Sequence, residues 1–287
     1  PPPAPPRPPP PPRRQPYPDN HTDDTFLEHL VLNGRIVPRR LSRVVLDALT
    51  VSQQIAVVTL KACAAVHLLS GRWSALALVR ADFALLALFL LLTASLRGRA
   101  AALRALVRTG PLVVLGIAAL APLFRTMTEA ISDDTAVASA VASLFLHLLT
   151  HDYAFLNDRT ARLGGTVSHG AAMFASALIS SRLENLDAVF ADALLAAVLF
   201  ILFPFARRDA RVVAGADAHV ALTLAAHLAA LAALRAIPAA SGRAVFVGGY
   251  LVAALAVAFA APVALVRAMR FKRQINGPWD EAKVAAE

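Results

Sequence analysis

The chain has 287 residues, of which 57% are hydrophobic and only 16% are charged, and its mean hydropathy is +0.60. Soluble domains carry about 25% charged residues and give each helix or strand a polar face, so this composition excludes a soluble globular protein. The formal net charge is +9 at pH 7, but no basic-and-aromatic platform accompanies it, so we expect no nucleic-acid partner.

The two ends of the chain are polar and the middle is apolar. Residues 1–14 are rich in proline and are expected to be a disordered tail, because they have no large apolar side chains with which to build a core. Residues 15–43 form a polar N-terminal segment, residues 44–270 contain the apolar runs, and residues 271–287 form a C-terminal tail. We expect both polar segments to be cytoplasmic.

Eight apolar runs follow one another between the two polar ends. Each is close to the 20 residues that a helix needs to cross a bilayer, and each is rich in Ala and Leu rather than alternating, which argues against barrel strands. The sequence therefore predicts an all-α, polytopic membrane protein with about eight transmembrane helices. The predicted spans are residues 44–69, 73–96, 103–124, 135–156, 163–181, 186–206, 212–234 and 244–266.

The first run is the least apolar, because it contains Asp47, Gln53, Gln54, Lys61 and His67. We expect this helix to pack against protein rather than lipid. Other ionisable residues in the runs indicate either paired helix contacts or a polar pathway, as in a transporter, a flippase or a membrane transferase. They are Arg80, Asp82, Asp192, Asp217, His219 and His227. The two four-span halves show no convincing duplication, which disfavours a transporter.

The fifth run is rich in small residues, among them Gly164, Gly165 and Gly170. Small residues let the backbones of two membrane helices approach closely. We therefore expect a close helix contact along this run.

The basic residues are distributed unevenly between the connections. If the chain crosses the membrane at every predicted span, 21 of its 28 Lys and Arg lie on the side of both termini and only five lie on the other side. Cytoplasmic connections are enriched in Lys and Arg, so both termini are predicted to be cytoplasmic.

The connection between the third and fourth spans, residues 125–135, reads "RTMTEAISDDT" and is rich in acids and hydroxyls. A second acidic cluster, residues 19–24, falls on the opposite side of the membrane, and this disfavours a shared Mg²⁺ site. We expect Ser132 to cap the fourth helix and Asp133 and Asp134 to oppose the positive end of its dipole. The connection is predicted to be a buried hydrogen-bonded junction or a contact with another subunit.

Signals for chemistry are weak. His147 and His151 are four residues apart and face the same way on a helix, a spacing that suits Zn²⁺, but helix packing is the favoured interpretation. No Asp-x-Asp and no Glu pair eight residues apart offers a site for a nucleotide sugar. We therefore assign no catalytic residue, no cofactor and no metal.

Five separated segments resemble, in order and spacing, the PIG-C family, which supplies one subunit of phosphatidylinositol N-acetylglucosaminyltransferase. They are "RQPYPDNHTDDTFLEHL", "APLFRTMTEAISDDT", "HDY", "MFASALISSRL" and "INGPWDEA". The resemblance extends from about residue 14 to the C-terminus. It implies a multi-pass subunit of an endoplasmic-reticulum complex that transfers N-acetylglucosamine from UDP-N-acetylglucosamine to phosphatidylinositol, the first step of GPI-anchor biosynthesis.

The same resemblance implies the partners and the contact residues. In that family catalysis belongs to another subunit, so we expect this chain to be an accessory subunit that binds a catalytic PIG-A-type chain, other subunits and membrane lipid, with phosphatidylinositol as the candidate. The candidate interface residues are Gln15, Pro16, Pro18, Asp19, Asn20, Thr126, Thr128, Glu129, Ser132, Asp134, Asp152, Tyr153, Ser181, Arg182, Gly277, Pro278, Trp279, Asp280 and Glu281.

Overall fold

The computed structural model describes residues 31–32, 39–126, 130–157, 164–272 and 275–276. The chain divides into two units. The larger one, Arg39–Val266, is helical throughout its described part, and the smaller one is formed by Pro1–Pro38 and Arg267–Glu287.

Eleven α-helices are present among the described residues. They are α1 (Leu41–Leu69), α2 (Ala75–Arg97), α3 (Arg99–Arg104), α4 (Gly110–Thr126), α5 (Asp133–Thr150), α6 (Thr166–Ser180), α7 (Leu186–Ala197), α8 (Phe203–Val212), α9 (Ala216–Arg235), α10 (Arg243–Leu255) and α11 (Ala261–Ala268). Three wider π-helical turns, Ala105–Thr109, Val198–Leu202 and Ala256–Ala260, make α3 and α4, α7 and α8, and α10 and α11 continuous. Short 3₁₀ turns occupy Tyr153–Asn157, Ala239–Ser241 and Met269–Phe271.

Six continuous helices in the described part are long and apolar enough to cross a membrane. They are Leu41–Leu69, Ala75–Arg97, Arg99–Thr126, Leu186–Val212, Ala216–Arg235 and Arg243–Phe271. These helices confirm the predicted all-α membrane class and correspond to six of the eight predicted spans. The other two spans correspond to α5 and α6, which have 18 and 15 residues. The count of eight therefore stays a prediction, because a helix of 15 residues is shorter than the hydrocarbon core requires.

The first span packs against protein, as its polar residues predict. Of an apolar stretch of 18 residues in each helix, 56% is buried in α1 and 11% in α2. Among the six membrane-length helices, Leu186–Val212 has the largest buried share of this stretch, 67%. α1 contacts α9 and α7, while α7 also contacts α2, α4 and α6. The core that these helices share contains small residues such as Ala172, Ala175 and Ala196, which let the helix backbones approach closely.

The smaller unit contains a pair of two-residue strands. β1 (Val31–Leu32) and β2 (Ile275–Asn276) are antiparallel, with Val31 opposite Asn276 and Leu32 opposite Ile275. The pairing was not predicted from the sequence, because two residues give no periodic pattern and the partners are far apart along the chain.

Candidate functional site

One end of the helical unit gathers a set of cationic and hydrogen-bonding side chains. It is formed by the starts of α1, α6 and α9, the ends of α2 and α5, and α8. We call it the basic end, after the four arginines Arg97, Arg207, Arg208 and Arg211 that it contains.

Arg207 lies at the centre of the basic end and is fully buried. Its Nη1 donates to the carbonyl oxygen of Thr50 at 3.2 Å and to Oε1 of Gln54 at 3.1 Å. Its Nη2 donates to Nε2 of His151 at 2.8 Å. These three acceptors are neutral, and no ion pair of Arg207 is found within the described residues. A buried guanidinium needs several acceptors, so Arg207 fastens α8 to α1 and to the end of α5.

His147 extends this network to α6. Its Nδ1 lies 2.9 Å from the carbonyl oxygen of Ser168 and 2.8 Å from the Ser168 hydroxyl, and its Nε2 lies 2.6 Å from Nε2 of Gln54. An amide nitrogen only donates and a carbonyl only accepts, so the proton of the neutral ring is on Nδ1. Both ring nitrogens have protein partners, which supports the helix-packing interpretation of His147 and His151.

Two ion pairs surround the network. Arg97, at the end of α2, pairs with Asp209 of α8, and Arg211 pairs with Asp47 of α1. Arg211 also donates to the carbonyl oxygen of Leu46 at 3.0 Å. These contacts join α2, α8 and α1 at one end of the bundle. Because Arg211 and Asp47 are partly exposed, their pair contributes less to stability than the buried bonds of Arg207.

The candidate residues Asp152 and Tyr153 shape the connection from α5 to α6. Oδ1 of Asp152 accepts from the backbone nitrogens of Ala154 and Phe155 at 3.1 and 3.2 Å, and Oδ2 accepts from Gly164 at 3.1 Å. The Tyr153 hydroxyl donates to the carbonyl oxygen of Leu148 at 2.7 Å. Both side chains therefore hold the backbone of this connection in place at the basic end.

At the opposite end, two candidate segments that are distant in the sequence meet. The Ser132 hydroxyl accepts from the backbone nitrogen of Thr135 at 3.3 Å, which confirms the predicted helix cap. Arg182 donates to the carbonyl oxygen of Ile131 and lies 3.2 Å from Oδ1 of Asp133. The junction is hydrogen-bonded as predicted, but the Asp133 side chain is 84% exposed, so this part of it is not buried within the chain.

Three other candidate residues lie near this junction. Asp134 is exposed in the first turn of α5, where a carboxylate opposes the helix dipole as expected. The Thr126 hydroxyl donates to the carbonyl oxygen of Leu123 at 3.2 Å, and the Ser181 hydroxyl donates to that of Leu178 at 2.7 Å.

The remaining candidate interface residues lie outside the described part of the chain. They are Gln15, Pro16, Pro18, Asp19, Asn20, Thr128, Glu129, Gly277, Pro278, Trp279, Asp280 and Glu281.

The charged residues of the predicted spans do not form one pathway. Lys61 and Asp192 form a buried ion pair of 2.6 Å, and the Ser180 hydroxyl donates to the second Asp192 oxygen at 2.9 Å. Asp82 is buried close enough to interact electrostatically with both partners. Arg80 and Asp217, in contrast, are exposed. The cluster is sealed from its surroundings, which disfavours the transporter and flippase alternative.

The burial of Arg207 was not predicted from the sequence. The predicted span ends at residue 206, which places Arg207, Arg208 and Arg211 in the connection that follows it. In the structure the π-helical turn Val198–Leu202 continues into α8, and the helix extends to Val212. The signal that could have found Arg207 is the "RRDAR" run, residues 207–211, in which Asp209 lies among three arginines.

Comparisons with known proteins agree with the sequence motifs. A family model described as phosphatidylinositol N-acetylglucosaminyltransferase matches residues 13–280. The chain is 33% identical over 276 residues to the putative C subunit of this transferase from Dictyostelium discoideum, covering 96% of this chain and 78% of that protein. It is 32% identical over 277 residues to the GPI2 subunit from Schizosaccharomyces pombe, covering 94% of this chain and 84% of that protein.

A more distant relative gives the same result. The human C subunit is 29% identical over 284 residues, and the match covers 94% of this chain and 90% of the human protein. No solved structure matches the chain. The family model covers all the membrane-length helices and reaches into both polar ends, and so the chain belongs to the PIG-C (GPI2) family of phosphatidylinositol N-acetylglucosaminyltransferase subunits.

Proposed function

We propose that this chain is a multi-pass subunit of the endoplasmic-reticulum complex that transfers N-acetylglucosamine from UDP-N-acetylglucosamine to phosphatidylinositol, the first step of GPI-anchor biosynthesis. The observation that carries this proposal is the match to relatives named as subunits of that transferase, which covers at least 94% of the chain. The six membrane-length helices agree with a subunit that works in a membrane.

We assign the chain an accessory role, with catalysis in another subunit of PIG-A type. The burial and the internal hydrogen bonds of the polar side chains at the basic end support this role. Arg207 and His147 are fully buried and bind other groups of this chain, so neither has access to a water-soluble nucleotide sugar. Side chains that are fastened in this way stabilise a scaffold rather than bind a donor substrate.

The basic end is proposed to face the cytosol, together with both termini. The excess of Lys and Arg on this side supports that orientation, because cytoplasmic connections carry most of the positive charge.

Two segments are proposed as docking surfaces for the catalytic subunit, residues 15–20 and residues 277–281. Both belong to the motifs of the family resemblance, and the second begins shortly after the last membrane-length helix, which ends at Phe271. β2 ends at Asn276, immediately before the second segment, and β1 lies eleven residues after the first.

The decisive test is purification of the tagged full chain from cell membranes, followed by mass spectrometry and a transferase assay. We expect the catalytic subunit and the transferase activity to co-purify. The chain purified alone and reconstituted in liposomes is expected neither to glycosylate phosphatidylinositol nor to transport solutes. Activity of the isolated chain in either assay would contradict the accessory role.

The docking segment can be tested in the same preparation. Replacing Trp279 and Asp280 with Ala should lower recovery of the catalytic subunit, because an interfacial aromatic ring and a carboxylate are both removed. Lys283→Ala, in the same tail but outside the motif, is the control and should leave recovery unchanged. Equal recovery from the two variants would exclude residues 277–281 as a docking surface.

A further inference from the structure

Three ionisable side chains from different helices meet inside the helical unit. They are Lys61 of α1, Asp82 of α2 and Asp192 of α7, and all three are fully buried. Asp82 and Asp192 each lie about two helical turns after the start of their helices, within the predicted spans. We call these three residues the buried triad. With one cation and two carboxylates, its formal charge is −1.

The two carboxyl groups of the buried triad differ in their partners. Oδ1 of Asp192 accepts from Lys61 at 2.6 Å, and Oδ2 accepts from the Ser180 hydroxyl at 2.9 Å. In the part of the chain that the structure describes, neither oxygen of Asp82 has a hydrogen bond or an ion pair. The polar contacts therefore stabilise a negative charge on Asp192 and not on Asp82.

Asp82 faces the protein core rather than the lipid. It follows Leu78 by one helical turn, and both residues are on the buried side of α2, where Leu78 belongs to the apolar core that α2 shares with α7. Arg80 is exposed and lies on another side of the helix, because residues two apart do not face the same way. Among the described residues, Lys61 and Asp192 are the charged groups that act on Asp82.

An ionised carboxylate is unfavourable at the position of Asp82. Moving a charge from water into an apolar interior costs far more than burying a neutral polar group, and a buried carboxyl group without a cation takes up a proton instead. Where two carboxyl groups share a site, their surroundings decide which of them is protonated. Lys61 neutralises one carboxylate of the buried triad, so the other needs a second cation.

We propose that the buried triad is a binding site for one proton, and that an oxygen of Asp82 carries it. The proton converts the Asp82 carboxylate into a neutral carboxylic acid, while Lys61 and Asp192 stay charged, so the triad as a whole is neutral. The proton is taken up from water before α2 packs against α7, and the sealed packing then retains it. This site goes beyond the proposed function, because it does not depend on any partner subunit.

The contacts of the buried triad favour a proton over a metal cation. Hard metal cations bind about six oxygen ligands. Both oxygens of Asp192 already accept hydrogen bonds, which leaves the two oxygens of Asp82. The described residues contain no group of three or more His, Cys, Asp or Glu side chains that could hold a metal ion. Two oxygens are too few for such an ion, but one is enough for a proton.

The test detects protonated carboxyl groups by infrared spectroscopy. The full chain carries an isotopic label on the side-chain carboxyl carbon of aspartate and is purified at neutral pH in a detergent without ester groups. We expect a carboxylic-acid C=O band that shifts with the label. Asp82→Asn should abolish this band. Asp217→Asn, on the exposed side of α9, is the matched control and should leave the band unchanged.

Two further variants test the charge balance of the buried triad. Asp192→Asn leaves one cation and one carboxylate, so Asp82 becomes the counter-ion of Lys61 and the band should disappear. Lys61→Met leaves two carboxyl groups and no cation, so a second proton binds and the band should grow about twofold. A band that is unchanged in well-folded forms of both variants would show that the charges of the triad do not hold the proton.

Size-exclusion profiles and thermal unfolding show whether each variant is folded. Asparagine has nearly the shape of a protonated aspartate, so Asp82→Asn should shift the Tm by no more than about 2 °C. This variant therefore remains informative even if Lys61→Met does not fold. A parent chain without the band, or a band that persists in Asp82→Asn, would overturn the proposal. Recovery of the catalytic subunit is a separate measurement, so failure of the proposed function is distinguished from failure of this site.

Discussion

Lys61 and Asp192 form an ion pair whose side chains are both fully buried between α1 and α7. Taking two charges out of water costs several kcal/mol each, and their attraction and hydrogen bonds offset this only while both partners are present. Ser180 provides one such bond, from α6. The pair therefore fixes the relative positions of three helices more strongly than it stabilises the fold.

Removing one partner of this pair should be far more harmful than removing both. Lys61→Met leaves Asp192 buried without its cation, and we expect a loss of about 3–5 kcal/mol in stability. Lys61→Met combined with Asp192→Asn should lose less, because residue 192 then no longer carries a buried charge without its cation. Thermal unfolding of the full chain in detergent measures the difference.

Arg80→Met is the control, because Arg80 is exposed on α2 and its loss should have little effect on thermal unfolding. The loss of stability in the double variant is compared with the sum of the losses in Lys61→Met and Asp192→Asn. If the two are equal, Lys61 and Asp192 do not act as a pair.

At the residue scale, polar groups inside apolar runs can be identified from the sequence, but their partners cannot. Lys61 and Asp192 both stand out among the apolar residues, yet 131 residues separate them. Pairing across that distance depends on which helices become neighbours. Ser168 and Ser180 gave no signal at all, because serine is common on small-residue helix faces, and their buried bonds became visible only in the structure.

At the scale of single elements, the start of α5 is set by one hydroxyl. Ser132 has extended backbone angles and accepts a hydrogen bond from Thr135, so it satisfies one of the free nitrogens in the first turn. Ser132→Ala should destabilise the chain by about 1 kcal/mol, whereas Ser132→Asn should be nearly neutral. Thermal unfolding of the two variants checks the cap, and equal stability would mean that α5 starts without help from this side chain.

The connection between α5 and α6 depends on a close approach at Gly164. A Cβ atom placed there would lie 2.9 Å from Oδ2 of Asp152, the atom that accepts a hydrogen bond from the Gly164 nitrogen. Gly164→Ala should therefore break this bond and cost about 1–3 kcal/mol. Limited proteolysis of the connection, together with thermal unfolding, would detect the loss.

Gly170 offers a matched comparison within α6. A Cβ atom at this position would meet no atom within 4 Å, so Gly170→Ala should be neutral or slightly stabilising through its higher helix propensity. If both glycine variants behaved alike, the contact between Asp152 and Gly164 would not control the connection. The close helix contact predicted for this run is present through the buried residues Ala171, Ala175 and Ser176, whereas Gly170 takes no part in it.

For the whole molecule, hydropathy was sufficient to predict the class but not the arrangement. Runs of about 20 apolar residues predict helices because lipid offers no partner for backbone groups. The order in which helices pack depends on side-chain shapes that no periodicity reveals. α2 and α7 are both strongly apolar, yet eight of the 12 residues of α7 are buried, compared with three of the 23 residues of α2.

The proposed orientation of the whole chain can be measured with single cysteines. Cys63 is the only cysteine and is buried, so a Cys63→Ala background is suitable. Ala214→Cys at the basic end should react with a membrane-impermeant maleimide in sealed microsomes. Ala130→Cys, at the opposite end and also exposed, should react only after the membrane is permeabilised. The reverse pattern would invert the proposed topology.

The pairing of β1 with β2 has a consequence for the timing of assembly. Val31 and Leu32 leave the ribosome early, but Ile275 and Asn276 are synthesised only after the last membrane-length helix is complete. The strand pair can therefore exist only in a finished chain. A partner that recognises this pair would bind chains synthesised beyond residue 276 and would not bind nascent or truncated ones. The two paired residues on each strand would then ensure that only such chains enter the complex.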